Sequence, residues 1–159
     1  LVYIFSNLAA FGVIGAIENA TGKLSMDDYK GLYRTNPRLS VAMMLAMFSL
    51  AGIPPFAGFF SKFFIFTGAI NQGSVAIYVL VLIALINTII SLYYYLLVVK
   101  AMFISEDECT IANFRSSCGE RFALWITVGG ILALGLVSWF YNSLLGIASD
   151  SSMLMYFVH

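Results

Sequence analysis

The chain has 159 residues, 61% of them hydrophobic and only 10% charged, and its formal net charge is zero. A soluble domain usually carries about 25% charged residues, and it needs polar groups over its surface. This composition, with a mean hydropathy of +0.93, excludes a soluble globular domain and indicates an integral membrane protein whose solvent is the lipid bilayer. The sequence has no basic run, so nucleic acid is not expected as a partner.

The first apolar segment covers residues 1–17 and gives way to polar residues at Glu18. Its length is at the lower limit for crossing a bilayer, and we predict a transmembrane helix over residues 1–20. The carboxylate of Glu18 is expected at the membrane interface. The polar connection that follows ends with Asn36 and Pro37, a pair typical of a helix start.

The second apolar segment, residues 39–70, contains 32 residues and a single charge, Lys62. One continuous helix of that length would measure about 48 Å, whereas the hydrocarbon core is about 30 Å thick. Its middle contains Gly52, Pro54, Pro55 and Gly58. Two consecutive prolines remove two backbone donors and clash with the preceding turn. The pattern predicts one span over residues 39–71, made of two half-helices that are broken at residues 52–57.

Two further apolar segments predict spans over residues 75–104 and 122–148. Aromatic residues typical of a membrane interface stand toward the ends of the fourth span: Trp125, Trp139 and Tyr141. The sequence therefore predicts an all-α fold, a polytopic transmembrane helix bundle of four spans, one of which is a proline-broken, discontinuous helix.

The basic residues other than Lys62 fall on one side of the predicted bundle. They are Lys23, Lys30, Arg34, Arg38, Lys100, Arg115 and Arg121. The opposite side, residues 71–74 and 149–159, has no Lys or Arg. Because basic connections stay on the cytoplasmic side of a membrane, we expect residues 22–38 and 105–121 to be cytoplasmic. The protein is then a multi-pass protein of the inner (plasma) membrane.

Lys62 is the main candidate for a functional residue. It lies among phenylalanines about eight positions past the double proline, where a charged amine costs several kcal/mol. Burial disfavours the charged form of a lysine, and a lysine held near that balance can gain and lose a proton, as a relay requires. A competing interpretation is that the long stem carries the amine to the membrane interface. A third is that Lys62 pairs with a neighbour only to fix packing.

The broken helix and a line of polar residues are further candidate features. Unwound backbone at membrane depth is tolerated only where it is buried in protein or lines a wet cavity, and half-helix ends present partial charges to ions. Asn87, Ser91 and Tyr95 recur every four residues on one face of the third span. This possible polar path could hydrogen-bond Lys62 or hold water, although small polar residues also join helices.

The sequence lacks the residue patterns that bind metals, nucleotides or haem. His159 is the only histidine, and eight residues separate Cys109 from Cys118, a spacing that matches no zinc or redox motif. We therefore expect no metal site, nucleotide-binding loop or haem attachment in this chain.

Two stretches resemble a known family. The run from Phe48 to Phe63, Phe-Ser-Leu-Ala-Gly-Ile-Pro-Pro-Phe-Ala-Gly-Phe-Phe-Ser-Lys-Phe, is similar to the antiporter-like membrane subunits of NADH:quinone oxidoreductase, respiratory complex I. The later Ser91-Leu92-Tyr93-Tyr94-Tyr95-Leu96 resembles the subunit N family in particular, the homologues of mitochondrial NADH dehydrogenase chain 2. The resemblance runs in order over residues 1–104, and the fourth span fits the family only in position and hydrophobicity.

The resemblance implies a C-terminal piece of a many-helix, proton-pumping subunit that has no redox site of its own. Lys62 takes the place of the lysine that passes protons to the outer side. NADH, FMN, Fe-S clusters and quinone are then expected on other subunits, and the partners are the other membrane subunits of complex I. The family often has an arginine soon after the tyrosine triplet, where this chain has Leu97 and then Lys100. The alternative is a subunit of a multi-subunit Na+/H+ antiporter, which shares the broken helix and its charge.

Overall fold

A computed structural model describes residues 2–54, 56–71, 73–104 and 111–157, without the side chains of residue 57 and residues 138–157. Within these ranges every regular element is a helix. The elements are α1 (Val2–Thr21), a 3-10 turn (Met26–Tyr29), α2 (Leu32–Thr35), α3 (Pro37–Ala51), α4 (Ala57–Ile70), α5 (Val75–Ile104) and α6 (Cys118–Phe157). The predicted all-α fold is confirmed for this part of the chain.

Three helices within the described ranges are long and apolar enough to cross a membrane: Val2–Thr21, Val75–Ile104 and Cys118–Val137. Of these, α1 has 20 residues and α5 has 30. α3 and α4 are apolar too, but they have only 15 and 14 residues, and each is too short to cross a bilayer alone. α3 ends at Ala51 and α4 begins at Ala57.

Small residues form the packed side of α1. Its buried positions are Ser6, Ala9, Ala10, Val13, Ala16 and Ile17. They recur at helical spacing and form one stripe, and α1 packs against both α3 and α6. A Cβ added to Gly130 of α6 would lie 2.7 Å from the Phe5 ring. Small residues of this kind let helix backbones approach closely in a membrane.

α6 begins at Cys118, before the predicted span of residues 122–148, because a capping box fixes its first turn. Glu120 N donates to Ser117 Oγ at 3.3 Å, and Ser117 N donates to the Glu120 carboxylate at 2.9 Å. The same carboxylate accepts a hydrogen bond from Asn19 Nδ2 of α1 at 3.0 Å. Cys118, which the sequence assigned to the polar connection, is therefore the exposed first residue of a helix.

Some residues singled out from the sequence lie outside the described ranges. They are Pro55, Cys109 and His159, together with the side chains of Trp139 and Tyr141. Trp125 is described, and it is exposed, which suits an aromatic residue at a membrane interface.

Asn36 connects two loops at one end of the bundle. It precedes Pro37, the first residue of α3, as predicted, but its side chain does not cap that helix. The side chain is buried; Nδ2 donates to Ala112 O at 3.2 Å, and Oδ1 accepts from Phe114 N at 3.3 Å. Asn36 thus holds the segment of residues 111–117 against the start of α3.

We expect Asn36→Ala to destabilise the full-length protein by about 1–3 kcal/mol, because it removes two part-buried hydrogen bonds to the backbone of Ala112 and Phe114. Thermal unfolding of the purified protein in detergent measures the loss. Asn71→Ala is the control, since Asn71 is exposed at the end of α4 and such substitutions stay within about 0.5 kcal/mol. Equal stability of the two variants would show that the Asn36 contacts contribute nothing.

Candidate functional site

The candidate site is the junction between α3 and α4. α3 ends at Gly52, whose backbone is left-handed with φ 81. Gly52 N donates to the carbonyl oxygens of Phe48 and Ser49 at 3.1 and 3.2 Å, and Ile53 N donates to Phe48 O at 3.1 Å. This arrangement is a common glycine termination of a helix. Because a residue with a Cβ would be strained at this φ, Gly52 determines where α3 stops.

The double proline leaves two carbonyl groups at the end of α3 without their helical donors. In an α-helix the carbonyl of residue i accepts a hydrogen bond from the N–H of residue i+4. For Leu50 and Ala51 those residues are Pro54 and Pro55, and proline has no N–H. Two acceptors are therefore free at the helix C-terminus, where the partial negative charge of the helix macrodipole is concentrated.

Lys62 donates to both of these carbonyl groups. Its Nζ lies 3.0 Å from Leu50 O and 3.1 Å from Ala51 O. The side chain runs back toward the start of α4, which is the direction that helical side chains take. A Cβ added to Gly52 would lie 3.2 Å from Lys62 Cδ and 3.3 Å from Nζ, so Gly52 also provides the space that the lysine occupies. We call Lys62 Nζ with its two carbonyl acceptors the lysine cradle.

Gly58 allows α4 to cross the end of α3. It is buried in the first turn of α4. A Cβ at this position would lie 2.8 Å from the Ser49 carbonyl carbon and closer still to the carbonyl oxygen. Both atoms belong to backbone, which cannot turn aside as a flexible side chain can. The two glycines singled out from the sequence thus have different steric roles at the junction.

The burial and the direction of the Lys62 side chain distinguish between its possible roles. Its side chain is half-buried rather than fully buried, and in the same helix the rings of Phe59 and Phe63 stack with centroids 6.0 Å apart. The amine points toward the junction and away from the Ile70 end of α4, where a lysine would have to reach to enter the membrane interface. Within the described part of the chain no carboxylate forms a salt bridge with it.

The predicted polar path on α5 is not hydrogen-bonded to Lys62 within the residues that the structure describes. Asn87 is exposed, and Ser91 Oγ donates to the Asn87 carbonyl of its own helix at 2.9 Å. Tyr95 is half-buried and packs against the hydrophobic core. The structure therefore brings the amine to main-chain acceptors of α3 and leaves these three side chains on α5.

A buried pair of hydroxyl groups stands beside the junction and was missed in the sequence. Ser6 of α1 and Ser49 of α3 are each 1% exposed, and their Oγ atoms are 2.8 Å apart. The two residues are 43 positions apart in the chain, so no local pattern reveals the contact. The donors missing from Leu50 and Ala51, by contrast, could have been found by counting four residues back from each proline.

Two other charged residues considered in the sequence, Glu18 and Lys100, make no hydrogen bond to the junction among the described contacts. Glu18 and Lys100 are exposed. In the connection after α1, burial raises the pKa of Tyr29, and the carboxylates of Asp28 and Glu18 raise it further, so this phenol stays neutral at physiological pH. Among the described residues no three His, Cys, Asp or Glu side chains are grouped closely enough to hold a metal ion.

Comparisons with known proteins point in one direction. Residues 1–91 match the family described as NADH:quinone oxidoreductase/Mrp antiporter, TM. NADH-quinone oxidoreductase subunit N of Phocaeicola vulgatus is 56% identical over 155 residues, which are 97% of this chain and 31% of that protein. Subunit N 2 of Syntrophobacter fumaroxidans is 38% identical over 143 residues, 90% of this chain and 29% of that protein.

A solved structure is similar as well. A chain of respiratory complex I from Thermus thermophilus with bound aureothin has 32% sequence identity and a TM-score of 0.66, over 86% of this chain and 31% of that one. The chain therefore spans about a third of the length of the proteins that it matches.

Proposed function

Since the chain belongs to the NADH:quinone oxidoreductase/Mrp antiporter transmembrane family, we propose that it is part of a proton-translocating membrane subunit of NADH:quinone oxidoreductase, respiratory complex I. The named relatives are subunit N proteins, in agreement with the resemblance found in the sequence. They favour this function over the alternative, a subunit of a multi-subunit Na+/H+ antiporter. In this proposal Lys62 takes up and releases the proton that leaves on the outer side.

The proposal treats α3 and α4 as two halves of one span, which gives a bundle of four spans. With 15 and 14 residues, the two helices are about 22 and 21 Å long at 1.5 Å per residue. Neither reaches across a hydrocarbon core of about 30 Å, but the two in series do. The junction between them, broken at the double proline, then lies at membrane depth, where exposed carbonyl groups have few other donors.

The lysine cradle is the observation that carries the proposal. A protonated lysine has three N–H donors, and two of them bond to Leu50 O and Ala51 O. A neutral amine keeps two N–H groups, so both carbonyl contacts can persist after one proton leaves. The nitrogen can therefore stay in place while its third proton is exchanged. The carbonyl groups also favour the charged form, since a cation at a helix C-terminus is stabilised by about 0.3–1 kcal/mol.

The location and the partners of the protein are inferred from the same family. We infer that the protein is a multi-pass protein of the plasma membrane, in contact with lipid and with other membrane subunits of complex I. Asn36 holds residues 111–117 against the start of α3, which supports placing the basic connections at one, cytoplasmic, end. NADH, FMN, Fe-S clusters and quinone belong to other subunits in this proposal, and the chain contributes to a translocase without a redox site of its own.

Lys62→Met tests the proposal in the full-length protein within its assembled complex. We expect NADH-driven proton uptake into inside-out membrane vesicles to fall by at least about tenfold, because a thioether cannot transfer a proton and acid–base groups typically contribute factors of about 100 or more. The amount of complex on native gels should stay at the parental level.

Lys100→Met is the matched control, since Lys100 is an exposed lysine near the end of α5. It removes the same charge from the same chain and is expected to leave proton uptake within about twofold of the parent. Parental proton uptake with Lys62→Met would overturn the relay and favour a structural role for the lysine.

A further inference from the structure

The Ser6–Ser49 hydroxyl pair is the only buried polar contact between two long helices that the described residues show near the junction. Ser6 Oγ lies 2.8 Å from Ser49 Oγ and 3.0 Å from the carbonyl oxygen of Val2 in its own helix. Both serines are sealed from solvent. The pair is therefore a fixed link between α1 and the last turn of α3.

Ser49 connects this link to the lysine cradle through its own backbone. Its carbonyl oxygen accepts a hydrogen bond from Gly52 N at 3.2 Å and lies against the place where a Cβ of Gly58 would stand. The next two residues, Leu50 and Ala51, supply the carbonyl oxygens that hold Lys62 Nζ. A shift of Ser49 away from α1 therefore moves the cap of α3, the crossing of α4 and both acceptors of the amine.

The last turn of α3 needs such support because its own hydrogen bonding is incomplete. Pro54 and Pro55 cannot donate to Leu50 and Ala51, so the helix end is held by the glycine cap and by contacts from other helices. The side-chain hydroxyl of Ser49, bonded to Ser6, is a contact of this second kind that does not involve Lys62 itself.

We propose that Ser6 is a positioning residue for proton transfer, which holds Ser49 so that the Leu50 and Ala51 carbonyl groups keep Lys62 Nζ in place. This inference rests on the proposed role of Lys62. Ser6 touches neither the amine nor its two acceptors in the described contacts, and it acts through Ser49.

The test uses Ser6→Ala in the full-length protein within its assembled complex, with NADH-driven proton uptake into inside-out vesicles as the readout. Interhelical hydrogen bonds in membranes are individually modest, so we expect proton uptake to fall by about three- to tenfold, which is less than the loss expected for Lys62→Met. Ser6→Thr, which keeps the hydroxyl group, should restore most of the lost uptake. The double variant Ser6→Ala with Ser49→Ala should be no worse than either single variant, because both remove the same contact.

Ser40→Ala is the matched control. Ser40 is also buried on α3, but its Oγ donates to the Asn36 carbonyl of the preceding turn at 3.1 Å, and the described contacts give it no bond to another long helix. Parental uptake is expected. If Ser6→Ala does not assemble, Ser6→Cys replaces it, since a thiol keeps nearly the same volume and bonds only weakly, and a smaller loss in the same direction is expected.

The outcomes separate the two proposals. Parental uptake with Ser6→Ala, or with Ser6→Cys, together with loss in Lys62→Met would overturn the positioning role and leave the relay intact. Equal losses in Ser6→Ala, Ser6→Thr and Ser40→Ala would show that any change in this packing is harmful and would also overturn it. Parental uptake with Lys62→Met would overturn both proposals.

Discussion

Gly58→Ala is expected to yield a full-length protein that neither assembles into its complex nor translocates protons. The new Cβ would meet the Ser49 carbonyl group, 2.8 Å from its carbon and closer to its oxygen. Both atoms are backbone in the last turn of α3, so the clash is relieved only if α3 and α4 separate. Overpacking that side chains can absorb costs about 1–3 kcal/mol, and for this backbone clash we expect more than about 4 kcal/mol.

Gly68→Ala provides the comparison for this experiment. Gly68 lies in the same helix, and a Cβ there would meet nothing within 4 Å. Alanine favours a helix over glycine by about 1 kcal/mol, so this variant should match or exceed the parent in thermal unfolding temperature and in membrane yield. If Gly58→Ala behaved like Gly68→Ala, α4 could not cross the end of α3 as described.

Lys62→Arg is expected to assemble and yet to lose NADH-driven proton uptake by at least about tenfold, because an arginine side chain stays protonated under all physiological conditions. A guanidinium can still donate to the Leu50 and Ala51 carbonyl groups, so the positive charge at the end of α3 is retained. What it cannot do is release a proton to the next group. This variant therefore separates proton transfer from a merely fixed charge.

The same substitution at Lys100 measures any general effect of exchanging lysine for arginine. Lys100 is exposed, and Lys100→Arg should keep both the parental amount of complex on native gels and the parental uptake rate. Efficient uptake with Lys62→Arg would mean that a permanent cation suffices at the junction, and the relay would have to be abandoned.

The helices were predictable because each depends on local composition. The 30 residues of α5 form a continuous apolar run, which favours a helix whatever the rest of the chain does. Two consecutive prolines cannot continue a helix, so the sequence also predicted a break near residues 52–57. The start of α6 was placed too late because Ser117 and Glu120, a serine followed three residues later by a glutamate, were not recognised as a capping box.

The partners of Lys62 were harder to predict. The sequence suggested side chains of α5, on the ground that Asn87, Ser91 and Tyr95 share a face. The structure instead gives the amine two carbonyl groups of α3. A search for polar side chains does not consider backbone carbonyl groups. These acceptors are found only by asking which backbone N–H donors the prolines remove.

The long-range contacts could not be predicted at all. Asn36 and Pro37 indicated a helix start, but the pattern did not show that the Asn36 side chain bonds to Ala112 and Phe114. The choice between a nearby N–H and a distant loop depends on how the helices pack, which local residue patterns do not determine. The Ser6–Ser49 pair is of the same kind.

Part of α1 packs against α6, which is synthesised much later. Asn19 bonds to Glu120, which is 101 positions later in the chain. At a synthesis rate of about 5–20 residues per second, α1 waits roughly 5–20 s before that partner has been made. α3, which also packs against α1, is made earlier, so during this interval only the part of α1 that packs against α6 lacks its partner. Slow codons between α5 and α6 would lengthen this interval. The translation rate of that stretch therefore sets how long newly synthesised α1 lacks its α6 partner.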